Sequence, residues 1–162
     1  MARPGPEQEL LPSVLDRLIE PGPRELRTNT SAGEIENLPR IKDGLRRDLE
    51  WLLNTRKAPV TLPTGATHLE GSVLTFGLPD FTNVSLDNGD DRRRLVRAVE
   101  EVVRRFEPRL TGVVVTLLEG TGPDRALRFR IDGMLRVEPN PEPITFDSVL
   151  RLPTRDFVIE ES

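Results

Sequence analysis

An α+β domain, with a small antiparallel or mixed sheet packed against two or three helices, is what this sequence predicts, and three observations predict it. Two stretches in the first two-thirds of the chain carry apolar residues at helical spacing. The last third breaks into short alternating or β-branched runs separated by Gly- and Pro-rich turns. At 162 residues the chain has the usual size of one domain, and no internal repeat divides it.

Residues 1–12 are rich in proline and hold little apolar surface to offset ordering entropy, so they read as a flexible tail. The domain is expected over residues 13–152, with 153–162 as a C-terminal segment that adds a last strand or docks elsewhere. Ser13 is placed to cap a short helix over Val14 to Glu20, which Pro21-Gly22-Pro23 ends. Thr28 to Gly33 is polar and turn-forming and leads to the next helix.

From Leu38 to about Asn54, Leu38, Ile41, Leu45, Leu49, Leu52 and Leu53 recur at steps of three, four and seven, while Arg46, Arg47 and Glu50 point away. Gly44 inside this helix costs about 1 kcal/mol against Ala, which implies close packing or a bend there. Trp51 lies beside the stripe, at a core edge or an interface. Residues 55–90 carry seven Gly and Pro punctuations and read as a long ordered loop with one or two short turns, held down by Phe76, Leu78 and Phe81.

A further helix is predicted from about Asp91 to Phe106, with Leu95, Val99, Val102, Val103 and Phe106 on one face and acidic residues at its start. Strands follow over Gly112 to Leu118, Ala126 to Asp132 and Ile144 to Leu152, with Asp156 to Ile159 as the added segment. In the second strand Leu127, Phe129 and Ile131 alternate with Arg128, Arg130 and Asp132, so its other face is solvated or meets a polar partner.

Composition narrows the function. Hydrophobic residues are 36% and aromatics only 4%, so the core is aliphatic; the net charge of -4 gives no basic field for nucleic acid, and protein partners fit better. No cysteine is present, which removes disulfides, thiolate chemistry and Cys-ligated zinc. Met1 to Leu10 lacks the apolar region of a signal peptide and no run spans a bilayer, so a cytoplasmic protein without membrane insertion is expected.

The catalytic inventory is poor. His68, the sole histidine, sits in a Pro/Gly-rich loop with no nucleophile elbow around any serine. Asp87-Asn88-Gly89-Asp90-Asp91 lacks the alternate-residue ligand spacing of a calcium loop and reads as a turn plus helix N-cap. Gly120 and Gly122 precede Pro123 with no following Lys, so no phosphate loop forms. Neither metal nor cofactor is expected. Carboxylate-only chemistry remains open to composition, since 27 acidic residues can supply a close pair, but there is no tyrosine and one tryptophan to build a sugar-stacking cleft.

Three stretches together resemble the TssE family, the type VI secretion baseplate wedge subunits related to the "lysozyme-like" wedge protein of contractile-tailed phages. They are Ser13-Val14-Leu15-Asp16-Arg17-Leu18; then Arg47 to Arg56 followed by Ser72 to Phe81; and Phe106-Glu107-Pro108-Arg109-Leu110 with Phe146-Asp147-Ser148. The resemblance covers roughly residues 13 to 150. It implies a structural subunit, without enzymatic activity, that joins the wedge proteins TssF, TssG and TssK and on which the sheath proteins TssB and TssC are laid down. Its "lysozyme" label leaves a carboxylate-dependent peptidoglycan hydrolase as the alternative. The family's Glu-Pro-Arg motif falls on Glu107, Pro108 and Arg109, where Pro108 stops the helix and the two charges are fixed on a corner suited to a partner contact. Asn54 and Arg56 close the other helix, Asn54 as a C-cap and Arg56 as a favourable charge near the dipole's negative end or a contact to Glu107 or a neighbour. These five residues are the expected partner-binding set.

Overall fold

The computed structural model describes residues 32–81, 88–118, 126–137, 140–151, 154 and 156–161. The predicted tail, the helix over Val14 to Glu20 and the Gly120 to Asp124 turn lie outside them. Helix α1 runs Ala32–Asn54 and helix α2 Gly89–Phe106; strands β1 (Leu110–Leu118), β2 (Leu127–Leu135), β3 (Glu142–Arg151) and β4 (Asp156–Glu161) follow. The strands form one antiparallel meander in the order β1-β2-β3-β4. This is the α+β arrangement the sequence predicts.

The α1 apolar stripe is buried as its period requires: Ile41, Leu45, Leu49, Leu52 and Leu53 all enter the core, and Gly44 is buried, in keeping with close packing. The helix begins six residues before the predicted start and runs through Pro39. The polar segment before Leu38 has no amphipathic period to reveal it, and Pro39, in the helix interior, argues from sequence for a boundary there. Asn88 caps α2 by accepting the Asp90 N–H at 3.0 Å, with Asp90 and Asp91 in the first turn where the helix dipole favours them. Leu95, Val99, Val102 and Val103 are its buried face.

Both helices lie on one face of the sheet, α1 beside β4 and α2 beside β1. Between them stand the inward residues of every strand: Val113 and Val115, then Leu127, Phe129, Ile131 and Leu135, then Ile144, Phe146 and Leu150, then Phe157 and Ile159. The C-terminal segment is thus a fourth strand, with Phe157 and Ile159 in the core. Both β2 and β3 reach further toward the Gly133/Pro143 end than their residue types suggest, because Leu135 gains burial there and Pro143 sits near the start of its strand. A bulge interrupts β1 between Thr111 and Val114, and Gly112 takes the required positive φ of 60°.

The segment 55–81 is ordered, as expected, and contains two short 3-10 turns, Thr67–Gly71 and Val73–Thr75. Buried Thr75 ties them together, donating its hydroxyl to Glu70 O at 2.7 Å and Ser72 O at 3.1 Å. Its end is pinned to the end of α1: Lys57 N–H donates to Leu78 O and Leu78 N–H to Thr55 O, each at 2.8 Å. Leu78 and Phe81 are buried, and Phe76 meets Phe106 edge-on at 5.3 Å.

On the inner face of β3, Ser148 is fully buried and its Oγ has no hydrogen-bond partner. An unsatisfied buried hydroxyl costs about 1–3 kcal/mol, so Ser148→Ala is expected to be neutral or to raise stability by up to about 1 kcal/mol, measured by urea unfolding. A loss above about 1 kcal/mol would show that the hydroxyl has a partner after all.

Candidate assembly interface

The α2–β1 corner is where the Glu-Pro-Arg motif falls, and the geometry there follows from Pro108. A residue before proline avoids the helical region, and Glu107 sits at φ -116°, ψ 81° as the C-cap, its N–H bonded to Val103 O at 2.9 Å. The turn closes with Leu110 N–H on Glu107 O at 3.1 Å, and β1 begins.

The two charges of the motif meet each other. Glu107 is only 4% exposed, the one buried charged residue among those described, and both of its oxygens accept from Arg109: Nε to Oε1 at 2.7 Å and Nη2 to Oε2 at 2.6 Å, with the Arg109 backbone N–H on Oε1 at 3.1 Å. Nη2 also reaches Asp48 Oδ2 on α1 at 2.7 Å, and Asp48 Oδ1 accepts from Arg47 at 2.9 Å. The Glu107 hydrogen bond is the largest of the influences that raise the Arg109 pKa above its ordinary value, with Asp48 adding to it against the opposing effect of burial. The guanidinium is therefore charged at any physiological pH, and it staples α1 to the corner between α2 and β1. Asp48 was not among the expected site residues.

Asn54 and Arg56 also find partners within the chain. Asn54 reaches across to β4, donating to Phe157 O at 2.9 Å and accepting from Phe157 N–H at 2.8 Å. The C-cap role expected of it falls instead to Thr55, whose hydroxyl donates to Trp51 O at 2.7 Å. The Arg56 guanidinium carbon stands 4.1 Å from the centre of the Phe81 ring, a cation–π stack that adds to the anchoring of the loop end. Thus Glu107 and Arg109 are brought together with Asp48, while Asn54 and Arg56 serve the other end of α1.

Several apolar side chains stand in solvent. Trp51 is 64% exposed on α1 and so does not sit at a core edge, and Val73 on the second 3-10 turn is 89% exposed. The outward residues Arg128, Arg130 and Asp132 of β2 are partly or fully exposed, as the alternation predicts, while Val114 and Met134 make the rest of that face partly apolar. There Arg130 pairs with Asp147 at 3.0 Å, and Thr145 donates to Asp132 at 2.7 Å. The Asp147 hydrogen bond, first among its influences, raises the Arg130 pKa.

His68 is exposed on the first 3-10 turn. Among the described residues no group of three or more His, Cys, Asp or Glu is placed to hold a metal, and no helix is long and apolar enough to cross a membrane.

A search of curated proteins returns no match. Among solved structures, a chain of the one described as "The baseplate complex from the type VI secretion system" is similar at 19% identity and a TM-score of 0.48, over 68% of this chain and 94% of that one. The family model described as baseplate wedge protein gp25 matches residues 40–140, more than half of the sequence, from within α1 through the corner to the end of β2. This chain belongs to the baseplate wedge protein gp25 family and is a structural baseplate component.

Proposed function

We propose that this chain is a TssE-type wedge subunit of a type VI secretion baseplate, working in the cytoplasm, that joins TssF, TssG and TssK and provides the platform on which the TssB–TssC sheath begins to assemble. Family membership and the TssE-like stretches support the type of machine. The observation that supports the platform role is the four-stranded meander with two edges, because a sheet edge offers main-chain donors and acceptors that template an added strand. Glu107, Pro108, Arg109, Asn54 and Arg56 then act by holding the corner and the α1 end in one shape, so that a wedge partner binds a surface already ordered.

Truncation after Leu152 is not a clean test of the edge, since it removes Phe157 and Ile159 from the core. The test is addition of the whole purified chain to soluble TssB and TssC, with sheath formation followed by sedimentation. Sheath should form faster when the chain is present; equal rates with and without it would remove the platform role. No catalytic step is assigned. Purified protein is expected to leave peptidoglycan intact in a clearing assay, and clearing abolished by a single Glu→Gln change would establish the hydrolase alternative instead.

A further inference from the structure

Both helices pack on one face of the sheet, and among the described residues no element lies over the other. The strand register gathers the most exposed apolar side chains of that outer face at one end. Met134 stands opposite Pro143 of β3, and Val114 stands opposite Asp132, two residues along β2 from Met134. Directly opposed side chains share a face and diagonal ones lie within reach, so Val114, Met134 and Pro143 form one patch. All three are exposed, Val114 at 50% and Met134 at 37%. The polar side chains beside them already engage one another: Thr145 donates to Asp132 at 2.7 Å and Arg130 to Asp147 at 3.0 Å. The unmet demand at this end of the face is for apolar cover.

The chain enters α1 at that same end. Lys42 of α1 pairs at 3.2 Å with Glu142, the neighbour of Pro143, whereas Asn54 at the close of α1 clamps Phe157, which stands opposite Leu150 at the far end of β3. The helix therefore runs from the Pro143 end of β3 toward its Leu150 end, and Ala32 lies ten residues upstream of Lys42, about 15 Å along the axis. Before Ala32 the sequence offers an apolar stripe with no partner assigned to it. In residues 13–20 a helical period sets Val14, Leu15, Leu18 and Ile19 on one side, with Asp16, Arg17 and Glu20 on the other. A helix of that length is marginal in water unless its stripe is buried. The eleven residues 21–31 that join it to Ala32 span up to about 36 Å. The route from Ala32 back to Lys42 and through one layer to the outer face is about 25 Å, which that linker covers. Trp51 is further, about 28 Å along α1 from Ala32.

We infer that the outer face is the docking surface for this chain's own residues 13–20: they lie as a helix across the open end of the sheet, with Val14, Leu15, Leu18 and Ile19 over Val114, Met134 and Pro143. The sheet then becomes the middle of three layers, and the acidic side of the segment faces solvent. The patch is small, but a tether holds the segment at a local concentration of about millimolar, so a weak contact suffices.

Met134 reports the cover directly, because the chain has only one other methionine, Met1, and thioether oxidation follows access. Peroxide oxidation of Met134 in the whole chain is followed by peptide mass spectrometry. Leu18→Asp, on the apolar side of the segment, should oxidise severalfold faster than the wild type, and Arg17→Asp, on the polar side, at the wild-type rate. Equal rates for wild type and Leu18→Asp, or the same acceleration by Arg17→Asp, overturn the inference. So does protection that fades on dilution, which makes a second copy the occupant. A second measurement decides if Leu18→Asp fails to fold. With no native cysteine, a spin label attached at Ile19→Cys has a single site. It should broaden the amide signals of Val114 and Met134 within one molecule and leave that of Trp51 sharp. Broadening at Trp51 instead, broadening only between molecules in a mixture of spin-labelled and isotope-labelled chains, or none on the outer face would each overturn the inference and leave that face to another protein.

Discussion

Gly77→Ala is expected to lower the melting temperature by about 6–12 °C, from a destabilisation of about 3 kcal/mol. The position combines two independent penalties. Its φ is 98°, a region a residue with a Cβ rarely enters, and an added Cβ would stand 2.8 Å from the Thr55 carbonyl carbon and closer still to its oxygen. That oxygen cannot withdraw cheaply, since it accepts the Leu78 N–H at 2.8 Å. Relief of the clash must open the clamp between the α1 end and the loop, which also carries Leu78 and Phe81 into the core. Thermal unfolding followed by circular dichroism measures it. By contrast Gly65→Ala, at φ 84° but with nothing within 4 Å of the new Cβ, should incur only the backbone penalty, about half as large.

Glu107→Ala is the second large effect, at about 2 kcal/mol. Loss of one partner from a fully buried ion pair costs about 3–5 kcal/mol. The lower figure applies because the Arg109 side chain remains 29% exposed and keeps its bond to Asp48, so solvent and a second carboxylate compensate in part. A double-mutant cycle separates the pair from its surroundings: in an Arg109→Ala background, removal of Glu107 should cost measurably less than in the wild type. Additive losses by urea unfolding would mean that the two charges act independently despite their 2.6 Å contact.

Much of the fold was legible because its signals are local. The α1 stripe from Ile41 to Leu53, the α2 stripe from Leu95 to Val103 and the β2 alternation each report their own burial. The N-terminal turns of α1 left no such trace, because the chain before Leu38 is polar and Pro39 follows directly. The candidate site was legible only in part. Glu107 and Arg109 are two residues apart and a proline fixes their corner, so sequence alone could place them together. Their third partner could not be found by spacing, since Asp48 lies 61 positions away, and the Asn54–Phe157 clamp spans 103. One trace of Asp48 was present: it stands three after Leu45 and four before Leu52, on the buried side of α1, where a lone carboxylate requires a cation. Nothing comparable marked Arg104, which donates to Val113 O at 2.7 Å, or Glu100, which accepts the Val115 N–H at 3.1 Å; from sequence they look like an ordinary helical pair.

The central claim is that the Glu107–Arg109–Asp48 network is a preorganised wedge-docking corner, and Arg109→Lys tests it most directly. Lysine keeps the charge but has no planar fork to serve Glu107 and Asp48 together, so the fold should survive with a small loss of stability while the corner loses its fixed shape. With folding confirmed by circular dichroism, the variant is co-purified with TssF, TssG and TssK. The account predicts a folded protein that no longer holds the wedge complex. A folded variant that holds it as firmly as the wild type would contradict the account and place the interface elsewhere, with exposed Trp51 and Val73 the next surfaces to change.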